Sequence, residues 1–221
     1  MRRTAREPLA YITGHREFFG LEFEVTPAVL IPRPETEIVV EAVLSAMPTF
    51  QLFTMIDACT GCGNIAVAVA KNRANARIVA TDISAAALDV ARRNAARYGV
   101  ESRVAFVEAD LFADVSGPVD VITANPPYVP EHNASGLQPE VGEHEPHVAL
   151  FGGGGDGLTL VSRVVSEAPP LLRSGGLLIC EFGFGQEVEV EAVVRASPDL
   201  AFVELKRDLQ GIGRTVIAKR P

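Results

Sequence analysis

The chain predicts an α/β fold, a mostly parallel sheet with helices on both faces. Three observations carry that expectation. Short apolar runs ("LFTMIDAC", "ARIVATDI", "RVAFVEAD", "VDVITAN", "GGLLICEF") alternate with stretches of helical length and period, the pattern of βαβ units and hence of a parallel sheet. A glycine turn, "MIDACTGCGNIA", follows the first run, where a doubly wound sheet binds its ligand. Finally, "LAFVELKRD" and "RTVIAKR" are separated only by a short turn, which asks for one antiparallel strand at the end of the chain.

The elements follow in order. "REFFGLEFEVTPAVLIPRPETE" alternates apolar with polar residues around Gly20 and reads as a β-hairpin ending at Pro32 and Pro34. "ETEIVVEAVLSAM" has helical spacing, and after Pro48 the alternation begins. "NIAVAVAKN" is a helix, and "SAAALDVARRNAARYG" another, with Ser84 as N-cap and Gly99 as its stop. A polar loop rich in Pro and Gly runs from about Pro126 to Gly155. "GLTLVSRVVSEAPPLLR" and "QEVEVEAVVRAS" are the remaining helices. The division expected is 1–34, a linker and β-hairpin, and 35–221, the sheet domain.

Bulk properties narrow the class. The 221 residues can bury one sizeable core, and 48% hydrophobic with 22% charged residues is ordinary for a globular protein. A net charge of -8 argues against a protein that mainly grips duplex nucleic acid, which relies on Lys and Arg at phosphates. Arginines gather only at Arg2, Arg3, Arg6 and Arg16, diluted by Glu7 and Glu17. Three cysteines make no disulfide framework. No apolar run is long enough for a spanning helix, and the N-terminus lacks the apolar core of a secretory signal, so a cytoplasmic location is expected.

In the glycine turn, Gly61, Gly63 and Ala66 satisfy the G-x-G-x-x-G/A pattern, and Asp82 follows at ribose-binding spacing. Nicotinamide, flavin and S-adenosylmethionine enzymes share that signal. Two details favour the last. Asp57 stands just before the turn, where a carboxylate suits an ammonium or sulfonium better than a pyrophosphate. Asp110, at the end of the third run, is placed to hydrogen-bond an adenine amine, with Leu111 and Phe112 as apolar neighbours. Cys59 and Cys62 form a C-x-x-C, but inside a nucleotide-type turn a redox pair is not expected. His132, His144 and His147 lack the spacing of a metal site.

"VDVITANPPYVP" ends a buried strand in an amide, two prolines and a tyrosine. Prolines cannot donate to a sheet ladder, so the strand stops there. Methyl transfer to a planar nitrogen needs its N–H groups gripped by acceptors and its lone pair aimed at the methyl carbon. Asn125 offers a side-chain carbonyl and Pro126 a main-chain carbonyl. Pro127 stiffens the turn, and Tyr128 can stack on a flat group. Two acceptors suit such a turn, the exocyclic amine of adenine in DNA or RNA and the amide of glutamine. The acidic charge favours glutamine. Arg33 and Glu35, at the hairpin exit, are candidates for closing the site over substrate.

Beyond these local signals, "PLAYITG", "VLIPRPETE", "DACTGCGNIAVAVA", "ATDIS", "ADLF", "NPPYVP", "EPHVALFGGGGDGL", "EFGFGQ" and "DLQGIGR" together span nearly the whole chain. The sequence resembles the peptide chain release factor glutamine N(5)-methyltransferases. The resemblance implies a class I S-adenosylmethionine-dependent methyltransferase fold, a Rossmann-like, mostly parallel seven-stranded sheet, with residues 35–221 as the catalytic domain. It implies S-adenosylmethionine on the turn Cys59, Thr60, Gly61, Cys62 and Gly63, its ribose at Asp82, its adenine near Asp110 and Leu111, and S-adenosylhomocysteine as product. The target glutamine, held by Asn125 and Pro126 beside Tyr128, would belong to the Gly-Gly-Gln tip of a release factor. Family members commonly have glycine where Cys59 stands, and their loop is one residue shorter than Gly152–Gly155. They also carry an N-terminal helical domain, and these residues begin in the linker after it.

Overall fold

The computed structural model describes residues 2–221. A two-stranded antiparallel hairpin, β1 (His15–Phe18) and β2 (Leu21–Glu24), precedes the main sheet. The sheet strands are β3 (Phe53–Ala58), β4 (Ala76–Asp82), β5 (Val104–Glu108), β6 (Val119–Ala124), β7 (Leu172–Glu181), β8 (Ala201–Arg207) and β9 (Gly213–Lys219). Their order is β5-β4-β3-β6-β7-β9-β8. Only β9 runs antiparallel to its neighbours, lodged between β7 and β8. The expected antiparallel strand is therefore present, one place in from the edge.

This order builds the site. The chain leaves β3 toward β4 on one side and later returns to β6 on the other, so the strand order reverses between β3 and β6. Ligands of open α/β sheets bind above such a reversal, at the carboxyl ends of the strands. Parallel register then fixes the neighbours there. Asp57 lies opposite both Ala80 and Thr123, and Ala58 lies opposite Thr81 and Ala124. The glycine turn and the "NPPY" turn thus emerge side by side.

The sheet is buried on both faces, and its side chains alternate between two cores. Met55, Ile78, Val121 and Ile179 face one core, with helices α2 (Glu37–Ala46), α3 (Asn64–Asn72) and α4 (Ala85–Arg97). Ile56, Ile122, Leu178 and Val216 face the other, with α6 (Thr159–Glu167) and α7 (Glu187–Ala196). Two shorter helices, α1 (Leu9–Thr13) and α5 (Pro139–Gly142), lie in segments without helical periodicity.

The hairpin is part of the first core. Phe18 and Phe23 are fully buried and meet edge to face with centroids 6.0 Å apart. Burying one such ring stabilises the fold by about 2–3 kcal/mol. Asn94 of α4, itself wholly buried, accepts from Glu24 N–H at 2.8 Å and donates to the carbonyls of Glu24 and Cys62 at 3.1 and 2.9 Å. One amide side chain therefore ties hairpin, helix and glycine turn together.

One expected boundary shifts. The helix over "GLTLVSRVVSEAPPLLR" ends at Glu167, Pro169–Leu171 forms a single 3₁₀ turn, and Leu172 already belongs to β7. Two consecutive prolines remove the N–H groups that would continue the helix. Ser84 caps α4 as expected, accepting from Ala87 N–H at 3.2 Å. Among the described residues no helix is long and apolar enough to cross a membrane.

Gly63 is the N-cap of α3 at φ +80, and a β-carbon there would stand 3.1 Å from the Ala91 Cβ and 3.3 Å from its Cα. Gly61, at φ +55, has open space around it. Gly63→Ala therefore meets both backbone strain and a collision with α4, and it should cost about 2 kcal/mol or more. Gly61→Ala should cost only the strain, about 1 kcal/mol. Urea denaturation of the two variants checks the order.

Candidate active site

Asp57 lies beneath the turn. It is completely buried, its Oδ2 accepting from the Thr60 hydroxyl at 2.6 Å and its Oδ1 from the Thr123 hydroxyl at 2.7 Å. The Ala66 N–H adds a third bond. Burial pushes its pKa up to about 6, against the pull of these donors. Asp57, expected beside the cofactor, is not among the residues lining the cleft above the turn, and its side chain braces β3, the turn, α3 and β6.

Above the turn opens a mostly apolar cleft of about 1000 Å³, its mouth included. Cys59, Thr60, Gly61 and Cys62 form its floor, with Asp82, Asp110, Leu111 and Asn125 around it. Cys59 itself stands at φ +57. In this left-handed region a glycine fits with less strain. Gly63, expected in this group, lies outside the cleft and serves the close approach of α3 to α4. Asp82 turns inward, accepting from Gly61 N–H at 2.8 Å and Ser84 N–H at 3.0 Å. Its pKa is raised by burial, and these backbone bonds offset part of the rise. Two main-chain donors leave lone pairs on the carboxylate for a further partner. Asp110, at the far end, is half-exposed and pairs with Arg163 at 3.0 Å. Leu111 is held by Thr81, whose hydroxyl donates to its carbonyl at 2.7 Å.

All three cysteines are free. Burial pushes the Cys62 thiol up to about 12 and raises Cys59 as well, so both stay protonated near neutrality.

The "NPPY" turn closes the other side. Asn125 donates from Nδ2 to the Thr36 hydroxyl oxygen at 3.2 Å, which turns its Oδ1 away from Thr36. A second, smaller slot of about 500 Å³ is lined by Pro126, Tyr128, Leu137 and Val141. It shares Leu30, Arg33, Asn125 and Ala149 with the large cleft. Pro127 lies on the cleft side and Pro126 on the slot side. Tyr128 is anchored from below, its hydroxyl donating to Glu181 at 3.1 Å. Gln186 donates to the Tyr128 carbonyl at 3.0 Å and to the Asp156 carbonyl at 2.9 Å. Burial, with the Glu181 charge adding to it, drives the Tyr128 phenol far above its ordinary range, so it remains a donor.

Arg33 reaches the walls of both cavities and pairs with Glu145 at 2.5 Å. Glu145 is buried and also accepts from Ile31 N–H at 3.0 Å. The pair joins the hairpin exit to the loop that supplies Pro146 and Ala149 to the cleft. Glu35 lines neither cavity, and its neighbour Thr36 takes the place expected for it. Sequence reasoning missed Thr36, Glu145, Glu181 and Gln186. Thr36 and Glu181 lie within "PRPETE" and "EFGFGQ", tracts whose charged and hydroxyl residues had no assigned partner.

The fold and this paired site define a class I methyltransferase. The Methyltransferase small domain model matches residues 35–142. A methyltransferase from Pyrococcus furiosus shares the fold at TM-score 0.66 and 18% identity, over 91% of this chain and 89% of that one. An RNA methyltransferase from Salinibacter ruber in complex with S-adenosyl-L-homocysteine does so at TM-score 0.55 and 20% identity, over 87% and 94%. The release factor glutamine methyltransferase of Moorella thermoacetica is 44% identical over 220 residues, covering 99% of this chain and 77% of that protein. The chain belongs to the release factor glutamine methyltransferase family.

Asp57 sets a pH test. Its folded pKa is raised, from 3.8 to about 6, so the folded state holds this proton more tightly than the unfolded chain. Its contribution to stability is complete in acid and is lost as pH rises through that interval. Asp57→Asn removes the titration. The stability of wild type relative to the variant should fall by about 2 kcal/mol between pH 4 and pH 7. Parallel denaturation curves at these pH values measure it.

Proposed function

We propose that this chain transfers a methyl group from S-adenosylmethionine to the side-chain amide nitrogen of a glutamine, in the Gly-Gly-Gln motif of a peptide chain release factor. The observation that carries the reading is Asn125, which stands at the junction of two cavities with its nitrogen tethered and its oxygen free. The large cleft fits the donor and the narrower apolar slot fits one side chain.

The residues of the cleft suit S-adenosylmethionine. The open space over Gly61 admits a ligand against the backbone. Asp82 retains acceptor capacity for ribose hydroxyls, and Asp110 with Leu111 offers a polar and an apolar contact to adenine. When bound, the donor supplies an electrophilic methyl on a sulfonium.

This chain supplies orientation. A glutamine amide is a weak nucleophile because its lone pair is delocalised into the carbonyl. Asn125 Oδ1 and the Pro126 carbonyl accept from its N–H groups, which draws electron density onto nitrogen and fixes its lone pair toward the cleft. Pro126 and Pro127 hold both acceptors still. The apolar walls of Leu30, Leu137 and Val141 keep water from competing for them. The nitrogen's new bond to the methyl carbon would form as that carbon's bond to sulfur breaks, leaving a neutral thioether, and the nitrogen would lose one of its two protons to solvent. A release factor as acceptor makes the enzyme cytoplasmic, and the acid surface leaves no need for direct contact with nucleic acid.

Asn125→Ala removes an acceptor that acts on the reacting nitrogen. Its kcat on a release factor should fall by about 100-fold or more, with affinity for S-adenosylmethionine changed less than threefold. Labelled methyl transfer and calorimetric titration measure the two. Unchanged turnover would remove Asn125 from the reaction. In the same assay DNA and RNA should stay at background, and transfer to an adenine amine there would replace glutamine as the acceptor.

A further inference from the structure

Glu181 ends β7 directly beneath the "NPPY" turn. It is only 2% exposed, and its Oε2 has no hydrogen-bond partner among the described residues. A buried carboxylate with an unpaired oxygen is a poor way to fill space, and an apolar residue of similar volume would pack there at lower cost. Yet Glu181 itself lines neither cavity. What it does touch is the machinery around them. The Tyr128 hydroxyl donates to its Oε1 at 3.1 Å. The Thr36 hydroxyl acts on the same carboxylate, pulling its pKa down, and the Thr36 oxygen receives the Asn125 amide at 3.2 Å.

We propose that Glu181 is a positioning residue for methyl transfer, holding the Tyr128 ring directly and setting the orientation of the Asn125 amide through Thr36. The inference rests on the glutamine-methylating reading above. Its logic is the direction of donors. An ionised carboxylate only accepts, so the Thr36 proton points at Glu181 and the Thr36 lone pairs face Asn125. Asn125 must then present Nδ2–H to Thr36 and Oδ1 to the acceptor glutamine. Place a donor at position 181 and the chain reverses. Thr36 then donates to Asn125 Oδ1, and the amide NH₂ meets the substrate NH₂ donor to donor.

The surroundings make this carboxylate titratable in the working range. Burial, with the Glu35 charge adding to it, pushes Glu181 up to about 7, while the Thr36 and Tyr128 hydroxyls and Arg214 pull it down. Arg33 acts on the Tyr128 side of the cluster, and the Cys180 thiol, raised by burial and by Glu181, stays neutral. The deprotonated form is the orienting one, so turnover should decline on the acid side of neutrality.

The test uses Glu181→Gln, Glu181→Asp and Thr36→Val in the full chain. Glu181→Gln should lower kcat at least tenfold and flatten the acid limb of the pH profile, with S-adenosylhomocysteine affinity within twofold of wild type. Glu181→Asp, which keeps the charge, should recover part of the rate and the limb. The Thr36→Val/Glu181→Gln double variant should be no slower than the worse single, because both cut one chain of bonds. The side-chain amide NMR signal of Asn125 should titrate with pH in wild type and stay fixed in Glu181→Gln. A Glu181→Gln enzyme with wild-type kcat and an unchanged acid limb overturns the proposal. So do single effects that multiply in the double variant, or equal losses of donor affinity and melting temperature in Gln and Asp. The NMR titration separates the two levels. If it appears while wild type fails to methylate glutamine, the functional reading falls and the network stands.

Discussion

Thr123 donates to Asp57 across the β3–β6 pair at 2.7 Å, and Thr60 donates to the other oxygen at 2.6 Å. Everything at the carboxyl end of the sheet hangs on that buried cluster. The parallel register sets Asp57 opposite Thr123, and Thr60 brings the first turn of the site down onto the same carboxylate. Two loops that arise far apart in the sequence are thereby held at one separation. The buried charge is costly, as its raised pKa records. Three converging donors make it tolerable, and together they stiffen the turn more than packing alone would.

Four carboxylates near the site differ by environment more than by residue type. Asp57 is sealed from solvent and acts as a brace. Asp82 is mostly buried but faces the cleft, with two backbone donors holding it in place and acceptor capacity left over. Asp110 is half in water and shares its charge with Arg163, a surface pairing worth about 1 kcal/mol or less. Glu181 is buried below the second turn and accepts from the Tyr128 hydroxyl. A gradient from interior brace to solvent-facing ion pair runs across one end of one sheet.

Much of this was legible in the residues. Alternating strand and helix patterns fixed the α/β class. Closely spaced Gly61 and Gly63 marked the turn, and "NPPY" marked a strand exit too stiff to be a casual loop. Asp82, Asp110, Leu111 and Asn125 do gather around one cleft. Position along the chain does not by itself set facing, which depends on strand pleat and helix entry. Asp57 points into the interior, Gly63 meets Ala91, and Thr36, one position on from Glu35, is the residue that turns toward Asn125.

By itself, then, the sequence determined the element order, the stiffness of the two turns and the kinds of group they carry. These depend on local chemistry: proline without an N–H, glycine free to take positive φ, an amide able to accept and donate. Tertiary structure alone decided which strands became neighbours, and so which side chains share a hydrogen bond. Asn125 and Thr36 are 89 residues apart and Tyr128 and Glu181 are 53 apart. No local propensity encodes such pairs, because they come into being only when the sheet order β3-β6-β7 closes over a common core.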